Sequence, residues 1–150
     1  MIDRTTASES ATIDLASAFA SCLRPGDVLA LHGDLGAGKT RFVRGLAVGL
    51  GLDPADVSSP TFVIVNEYAS SSAPLIHIDA YRLEHQEDLD ALGWDRIFDG
   101  TCIVAIEWAE RLADHLPPDR FEITIDHAGP EHRRIVIQPP PGREATLSMS

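Results

Sequence analysis

The eight residues from Gly33 to Thr40 read Gly-Asp-Leu-Gly-Ala-Gly-Lys-Thr and match the phosphate-binding loop (P-loop) pattern at every defined position. In such a loop, glycines let the backbone pass close to phosphate oxygens, and amides at the start of the following helix attract the anion. The Lys39 ammonium would reach the β- and γ-phosphates, and the Thr40 hydroxyl would bind Mg²⁺. The sequence therefore predicts a phosphate-binding site for a nucleotide.

A site of this kind also needs a carboxylate at the end of a second strand, to hold Mg²⁺ directly or through water. Glu107 follows the apolar run 103–106, and Asp79 follows the more mixed run 76–78. We predict that Glu107 is the metal-side carboxylate. Asp79 would either orient the attacking water or hold a water bound to the metal. If the strand alternates strictly, we expect His77 to face away from Asp79 and to lie in the core.

Apolar spacing predicts the elements that position these residues. A helix is predicted over 11–23, with Ser8 or Ser10 as its N-cap, and the loop opens a second helix over 39–50. Gly51 supplies the stop signal of that second helix. The predicted strands cover 28–32, 62–68, 75–78, 101–106, 121–125 and 134–138, and a further helix covers 84–92. This order predicts a three-layer α/β, P-loop NTPase-like domain with a mixed, partly antiparallel central sheet.

Length and composition limit the classes to which the chain can belong. At 150 residues we expect a single domain over 1–150, with a frayed tail over about 139–150. The 23 acidic residues outnumber the 12 Lys and Arg, and the only lysine is Lys39. Autonomous binding of RNA or DNA usually requires a basic face, so we do not expect it here.

Nothing in the sequence predicts a membrane, secreted or disulfide-bonded protein. No apolar run approaches the roughly 20 residues of a membrane span, and the N-terminus lacks the pattern of a signal peptide. The two cysteines, Cys22 and Cys102, are too few for a disulfide framework or a four-ligand zinc site. We therefore expect a cytoplasmic protein.

The assembled motifs resemble those of the TsaE family, also called YjeE, the bacterial ATPases required to make threonylcarbamoyladenosine in tRNA. The P-loop resembles the family's own loop sequence also at the positions that the general pattern leaves undefined. Three further motifs follow in family order: Ser59-Pro60-Thr61-Phe62, His77-Ile78-Asp79-Ala80-Tyr81-Arg82-Leu83 and Ile106-Glu107-Trp108. The resemblance extends from about residue 8 to about residue 137, which is nearly the whole chain.

The resemblance implies that ATP and Mg²⁺ bind at the loop, with Thr40 and Glu107 as the metal ligands. Lys39, Asp79, Glu107 and Trp108 are the residues we expect to act in ATP turnover. The nucleotide-binding set that we predict consists of Ser10, Asp34, Gly36, Ala37, Gly38, Lys39, Thr40, Arg41 and Arg133.

Two members of that set depart from the family's usual wording. Family members use an arginine late in the chain, and here Arg133 is preferred although Arg134 is the alternative, because the surrounding Glu131–Arg134 lacks the commoner Gly-Arg. Arg41 stands where many relatives carry a second threonine. Thr40 is unaffected by the second difference, and Arg134 stays the alternative to Arg133.

The function that the resemblance implies is an ATPase that acts through the partner proteins TsaB and TsaD in threonylcarbamoyl transfer to tRNA. No residue of the sequence stands out as a strong general base, so we expect slow turnover by the protein alone. Two alternatives of other classes remain open at this point. One is a small-molecule P-loop kinase, and the other is a nucleotide-gated binding module in which hydrolysis is not essential. The acidic surface favours docking onto protein rather than onto tRNA.

Overall fold

The structure, a computed structural model, describes residues 1–34, 37–53, 65–69, 74–80, 90–91 and 93–143. The described strands are β1 (Ile2–Thr6), β2 (Val28–His32), β3 (Val65–Tyr68), β4 (Leu75–Asp79), β5 (Ile103–Glu107), β6 (Phe121–His127) and β7 (Arg133–Gln138). The described helices are α1 (Glu9–Ala20), α2 (Lys39–Gly49), the short α3 (Trp94–Ile97) and a 3₁₀ helix (Ala109–His115).

Within the described residues, seven strands form one sheet in the order β1-β7-β6-β2-β5-β4-β3. The four central strands, β6, β2, β5 and β4, run parallel, while β1, β7 and β3 pair antiparallel with their neighbours. Strands β2 and β5 are apolar along almost their whole length because helices cover both faces of the parallel sheet, whereas β6 alternates apolar and polar residues. This arrangement confirms the predicted α/β class and the mixed, partly antiparallel sheet.

One face of the sheet is covered by α1 and α2, which pack closely on each other. Phe19 of α1 contacts Phe121 of β6 edge to face, with ring centroids 5.4 Å apart. The two helices approach at glycines of α2: a Cβ on Gly45 would lie 2.5 Å from the Cβ of Ala16, and one on Gly49 would lie 2.4 Å from the carbonyl oxygen of Ser17. Only glycine therefore permits this helix contact.

The opposite face carries a second apolar cluster that includes α3 and the 3₁₀ helix. Trp94, Ile97 and Leu112 are buried there against β4 and β5. Trp94 also donates its indole N–H to the carbonyl oxygen of His115, 3.1 Å away. None of the helices in the described part of the chain is long and apolar enough to cross a membrane.

The helix boundaries differ slightly from those predicted. α1 begins at Glu9, and of the two N-cap candidates it is Ser8 whose hydroxyl accepts the amide of Ala11 at 3.1 Å. α2 ends at Gly49 and is followed by Gly51 with φ of 82°, as its predicted stop requires. Residues 62–64 of a predicted strand, and residues 84–89 and 92 of a predicted helix, lie outside the described part of the chain.

Three elements were not predicted: β1, α3 and the 3₁₀ helix. In β1 only Ile2 and Thr6 are buried, so the alternation that identifies a strand is missing. Its place is set instead by pairing with β7, where Ile2 lies opposite Ile137. The Thr6 hydroxyl also hydrogen-bonds that of Thr12 in α1 at 2.7 Å. Tertiary contacts, rather than local pattern, therefore determine this strand.

The frayed tail predicted from about residue 139 does not describe residues 139–143. Arg143 is buried, and its guanidinium donates to both carboxylate oxygens of Asp27 at 2.7 and 3.1 Å and to the carbonyl oxygen of Cys22 at 3.2 Å. This two-pronged ion pair fixes the chain after β7 to the turn before β2. Residues 144–150 lie outside the described part of the chain.

We expect Arg143→Ala to lower the free energy of unfolding by about 3 kcal/mol, because it leaves the Asp27 carboxylate buried without its cation. Urea unfolding followed by circular dichroism measures this change. Arg134→Ala is the matched control: Arg134 pairs with Asp3 on the surface, where solvent screens the interaction, so stability should barely change. Equal effects of the two substitutions would contradict an anchoring role for Arg143.

Candidate functional site

The P-loop leaves the carboxyl end of β2 and enters α2, as the sequence predicts. Gly33 has φ of 148°, and a Cβ there would lie 2.3 Å from the carbonyl oxygen of Ile125 in β6, so the loop's first position requires glycine. Gly38 has φ of 109° and is the N-cap of α2, whose first residue is Lys39. Leu35 and the predicted ligand Gly36 lie outside the described residues.

Lys39 is buried and held from two sides. Its ammonium donates to the carbonyl oxygen of Gly33 at 2.8 Å and lies 3.7 Å from the centre of the Trp108 ring. Burial lowers the pKa of Lys39 below its usual 10.5. Nearby carboxylates act in the opposite direction, and these are Glu107, Glu110, Asp79 and Asp34. The chain's single lysine is therefore an internal cation aimed at the loop.

Trp108 directly follows β5 and is the one non-glycine residue of the described chain with a positive φ, 58°. Residues other than glycine adopt this conformation at a cost, and such strain is concentrated at functional sites. The turn places the indole beside Lys39, where its face attracts the ammonium. Trp108 thus contacts a P-loop residue as well as the apolar cluster beneath it.

The two predicted carboxylates lie side by side at the carboxyl ends of neighbouring parallel strands. Asp79 of β4 is in register with Glu107 of β5, and Glu107 is 5% exposed. The Thr40 hydroxyl lies 3.3 Å from Oε1 and 3.2 Å from Oε2 of Glu107 and donates to the carboxylate. The two residues predicted as Mg²⁺ ligands are therefore in direct contact across the gap between α2 and β5.

This donor set fits Mg²⁺. The ion prefers hard oxygen ligands, and proteins commonly supply only one or two of them while nucleotide phosphates and water supply the rest. Thr40 offers a hydroxyl and Glu107 a carboxylate, with the Asp79 carboxylate on the next strand. Thr40 and Glu107 would hold the ion directly or through water, next to the phosphates bound by the loop.

His77 is a site residue that the sequence analysis missed. The side chain is fully buried, as expected, but the expectation that it faces away from Asp79 was wrong. Its partner, however, is polar, because Nε2 contacts Oε2 of Glu107. The available signal was the spacing of His77 and Asp79, since residues two apart in a strand share a face and both lie beside the strand of Glu107.

The two late arginines have different surroundings. Arg133 is buried, and its Nε donates to the carbonyl oxygen of Ala37 in the P-loop at 2.9 Å. Its Nη1 donates to the carbonyl oxygen of His132, also at 2.9 Å. Arg134 lies on the opposite side of the strand, exposed, and pairs with Asp3. The structure thus brings Arg133, and not Arg134, to the loop.

The rest of the predicted nucleotide-binding set lies nearer the surface. It consists of Ser10, Arg41 and Asp34. Arg41 in the first turn of α2 pairs with Glu9 at 3.3 Å, and Glu9 neighbours Ser10 at the start of α1. Asp34 is exposed and its carbonyl oxygen accepts the amide of Ala37 at 3.0 Å. These residues lie at the start of α1, the start of α2 and the loop, and the contact with Glu9 links Arg41 to α1.

His32, which the sequence analysis did not single out, fixes the start of the loop. Its Nε2 lies 2.5 Å from Oε2 of Glu122 in β6, and its Nδ1 lies 3.3 Å from Oε2 of Glu110 in the 3₁₀ helix. Arg120 binds the other oxygen of Glu122 at 2.6 Å. Because His32 immediately precedes Gly33, this chain of polar contacts braces the loop's entry.

Comparisons with known proteins agree on one family. Residues 6–136 match the family model described as "Threonylcarbamoyl adenosine biosynthesis protein TsaE". The chain is similar to the tRNA threonylcarbamoyladenosine biosynthesis protein TsaE of Bacillus subtilis strain 168, with 46% identity over 82% of this chain and 74% of that relative. It is also similar to the protein of the same name from Streptomyces coelicolor, with 38% identity over 91% and 96% of the two chains.

A solved structure is similar as well. The crystal structure of YdiB from Bacillus subtilis superposes with a TM-score of 0.80 and 36% sequence identity, covering 97% of this chain and 90% of the other. At this identity and coverage the likeness extends to the whole fold rather than to the P-loop segment alone.

The lowered pKa of Lys39 predicts a pH dependence of nucleotide binding. The protonated ammonium attracts phosphates, and its pKa lies below 10.5, so affinity for ADP should fall at a lower pH than an exposed lysine would give. Calorimetric titration between pH 8 and 10 in EDTA measures this without a contribution from metal. Lys39→Arg, which keeps its charge throughout, is the control; an equal fall in both proteins would contradict the assignment to Lys39.

Proposed function

The chain belongs to the TsaE family of threonylcarbamoyl adenosine biosynthesis proteins, and from this membership we propose that it is a Mg²⁺-dependent, slow ATPase that supports threonylcarbamoyl transfer to tRNA through partner proteins. The observation that carries the proposal is the contact between the Thr40 hydroxyl and the Glu107 carboxylate beside the buried ammonium of Lys39. A cation, a hydroxyl and a carboxylate so arranged match the requirements of phosphoryl transfer.

Each residue has a defined task in this proposal. The amides of the loop and of the first turn of α2 bind phosphate oxygens, and Lys39 exchanges the carbonyl oxygen of Gly33 for the β- and γ-phosphates. Thr40 and Glu107 would hold Mg²⁺, which would neutralise charge on the phosphates when bound. Asp79, next to Glu107, orients the attacking water.

Slow turnover by the isolated protein follows from the side chains near the phosphates. Among the described residues of the site, Glu107 is assigned to the metal and Asp79 only orients the water, so we assign no general base. Lys39 must also leave Gly33 and Trp108 before it can contact the phosphates. A partner that changes the edge of the site near Trp108 would accelerate both the release of Lys39 and the attack of water.

The partners we propose are TsaB and TsaD, as the family resemblance implies. The net charge of −11 disfavours autonomous tRNA binding and suits docking onto protein. The tRNA would then be held by the partners, while this chain supplies the nucleotide-dependent step that permits repeated turnovers.

The first test is ATP hydrolysis by the purified protein with Mg²⁺, alone and with TsaB and TsaD from the same organism. We expect weak hydrolysis alone, stimulation by the partners, and a loss of about 100-fold in Lys39→Ala. Repeated threonylcarbamoyl transfer to tRNA should require the same residues. Partners that change nothing while ATP still binds would contradict the assigned pathway.

The same assay separates the two alternative classes. ADP release only in the presence of a small-molecule acceptor would identify a kinase. Glu107→Ala distinguishes a nucleotide-gated module from an ATPase: the module would still support its partners as long as ATP binds, whereas we expect support to be lost. Direct ATP binding by the variant is measured alongside, so that loss of hydrolysis is not confused with loss of the ligand.

A second prediction concerns the late arginines. Arg133→Ala should weaken ADP binding about tenfold, since it removes a charged hydrogen bond that holds the Ala37 carbonyl of the loop. Arg134→Ala is the neighbouring control and should leave ADP affinity unchanged, because Arg134 pairs with Asp3 on the surface. Fluorescent ADP displacement measures both. The reverse order of effects would assign the nucleotide contact to Arg134.

A further inference from the structure

The carboxylate of Glu107 has a second protein contact besides Thr40, on the side that faces the core. His77 is fully buried in β4, and its Nε2 contacts Oε2 of Glu107. Neither contact partner is a neighbour in sequence: Thr40 lies 67 residues before Glu107, and His77 lies 30 residues before Glu107. The fold has therefore brought two polar side chains from different elements to one buried carboxylate.

Strand register explains how the histidine reaches its partner. His77 lies opposite Ala105 of β5, and Asp79 lies opposite Glu107. His77 and Glu107 are thus diagonal neighbours on the face that packs against α2, where residues two apart point the same way.

The two contacts do different things to the carboxylate. The Thr40 hydroxyl is nearly equidistant from the two oxygens, at 3.3 and 3.2 Å, and therefore does not select between them. His77 contacts Oε2 alone. The histidine consequently determines which way the carboxylate is turned and leaves Oε1 as the oxygen without a histidine contact.

We propose that His77 is a positioning residue for the metal site: its Nε2–H donates to Oε2 of Glu107 and orients Oε1 together with the Thr40 hydroxyl for Mg²⁺. This inference rests on the proposed function in so far as Glu107 is a metal ligand. An ionised carboxylate only accepts hydrogen bonds, so Nε2 carries the proton. Nδ1 has no hydrogen-bond partner among the described residues, which agrees with its being the unprotonated nitrogen.

Residues that hydrogen-bond to a metal ligand without touching the metal commonly contribute 10- to 100-fold to metal affinity. For His77 the contribution is to orientation, since a buried carboxylate that can rotate would present its oxygens to the ion only part of the time. The effect should appear in metal binding and leave metal-free nucleotide binding intact, because the hydrogen bond of His77 goes to Glu107 and not to the P-loop.

Three substitutions distinguish this role from simple packing. His77→Gln places an amide N–H₂ at a reach close to that of Nε2, His77→Asn stops at the reach of Nδ1, and His77→Leu fills the space without a donor. The exposed His132, changed to Asn, is the control. Mn²⁺ binding to the protein–ADP complex, followed by electron paramagnetic resonance, and ADP affinity in EDTA are measured for each.

We expect His77→Asn and His77→Leu to raise the Mn²⁺ concentration for half-saturation about tenfold. His77→Gln should retain most of the wild-type affinity for Mn²⁺. ADP affinity in EDTA should stay within about twofold of wild type, as for the His132 variant. A Gln variant as impaired as Asn and Leu would reduce His77 to a packing residue, and an unchanged metal midpoint in all three would overturn the proposal.

A measurement on the unaltered protein covers the case in which the variants do not fold. Long-range ¹H–¹⁵N spectra of histidine-labelled wild type report which ring nitrogen of each histidine is protonated, with the Glu107→Gln variant used to assign the His77 signals. Protonation at Nε2 supports the proposal, and protonation at Nδ1 alone overturns it. If Mn²⁺ binding depends on His77 while partner-stimulated hydrolysis is absent from wild type, the proposed function fails and the positioning role stands.

Discussion

Parallel pairing of β5 between β2 and β4 is the constraint on which the site depends. It places the carboxyl ends of three strands at one edge, so that the P-loop after β2, Glu107 at the end of β5 and Asp79 at the end of β4 lie within reach of one another. Ligand sites in α/β sheets form at this edge because the loops that follow the strands converge there. A shift of β5 by one residue would turn Glu107 to the opposite face of the sheet.

Buried charge is distributed between two places that serve different purposes. Asp27 and Arg143 form a buried ion pair away from the P-loop, in which the guanidinium donates to both carboxylate oxygens. Lys39 and Glu107 instead lie at the site, where burial lowers the pKa of the lysine and thereby disfavours its charged form. The second arrangement contributes less to folding stability, as is typical of charged groups in a ligand-binding site.

How much could be predicted from sequence depended on whether a residue's surroundings are local. The P-loop, α2 and the strand ending at Glu107 were predicted because a glycine pattern and apolar runs define them within a few neighbouring residues. β1 and the anchoring of Arg143 were not, since each depends on a partner more than 100 residues away. His77 was predicted to be buried, but its contact with Glu107 required the register of β4 and β5.

The electrostatics of the loop make a divalent cation a physical requirement of the proposed function. Lys39 is the chain's only lysine, and four carboxylates act on it: Glu107, Glu110, Asp79 and Asp34. One ammonium among these acids cannot by itself offset the charge of a triphosphate, and the loop amides contribute only partial charges. Without a metal, the carboxylates would repel ATP. With Mg²⁺ bound by Thr40 and Glu107, they would attract the ion, so the site would bind the magnesium complex of ATP better than free ATP.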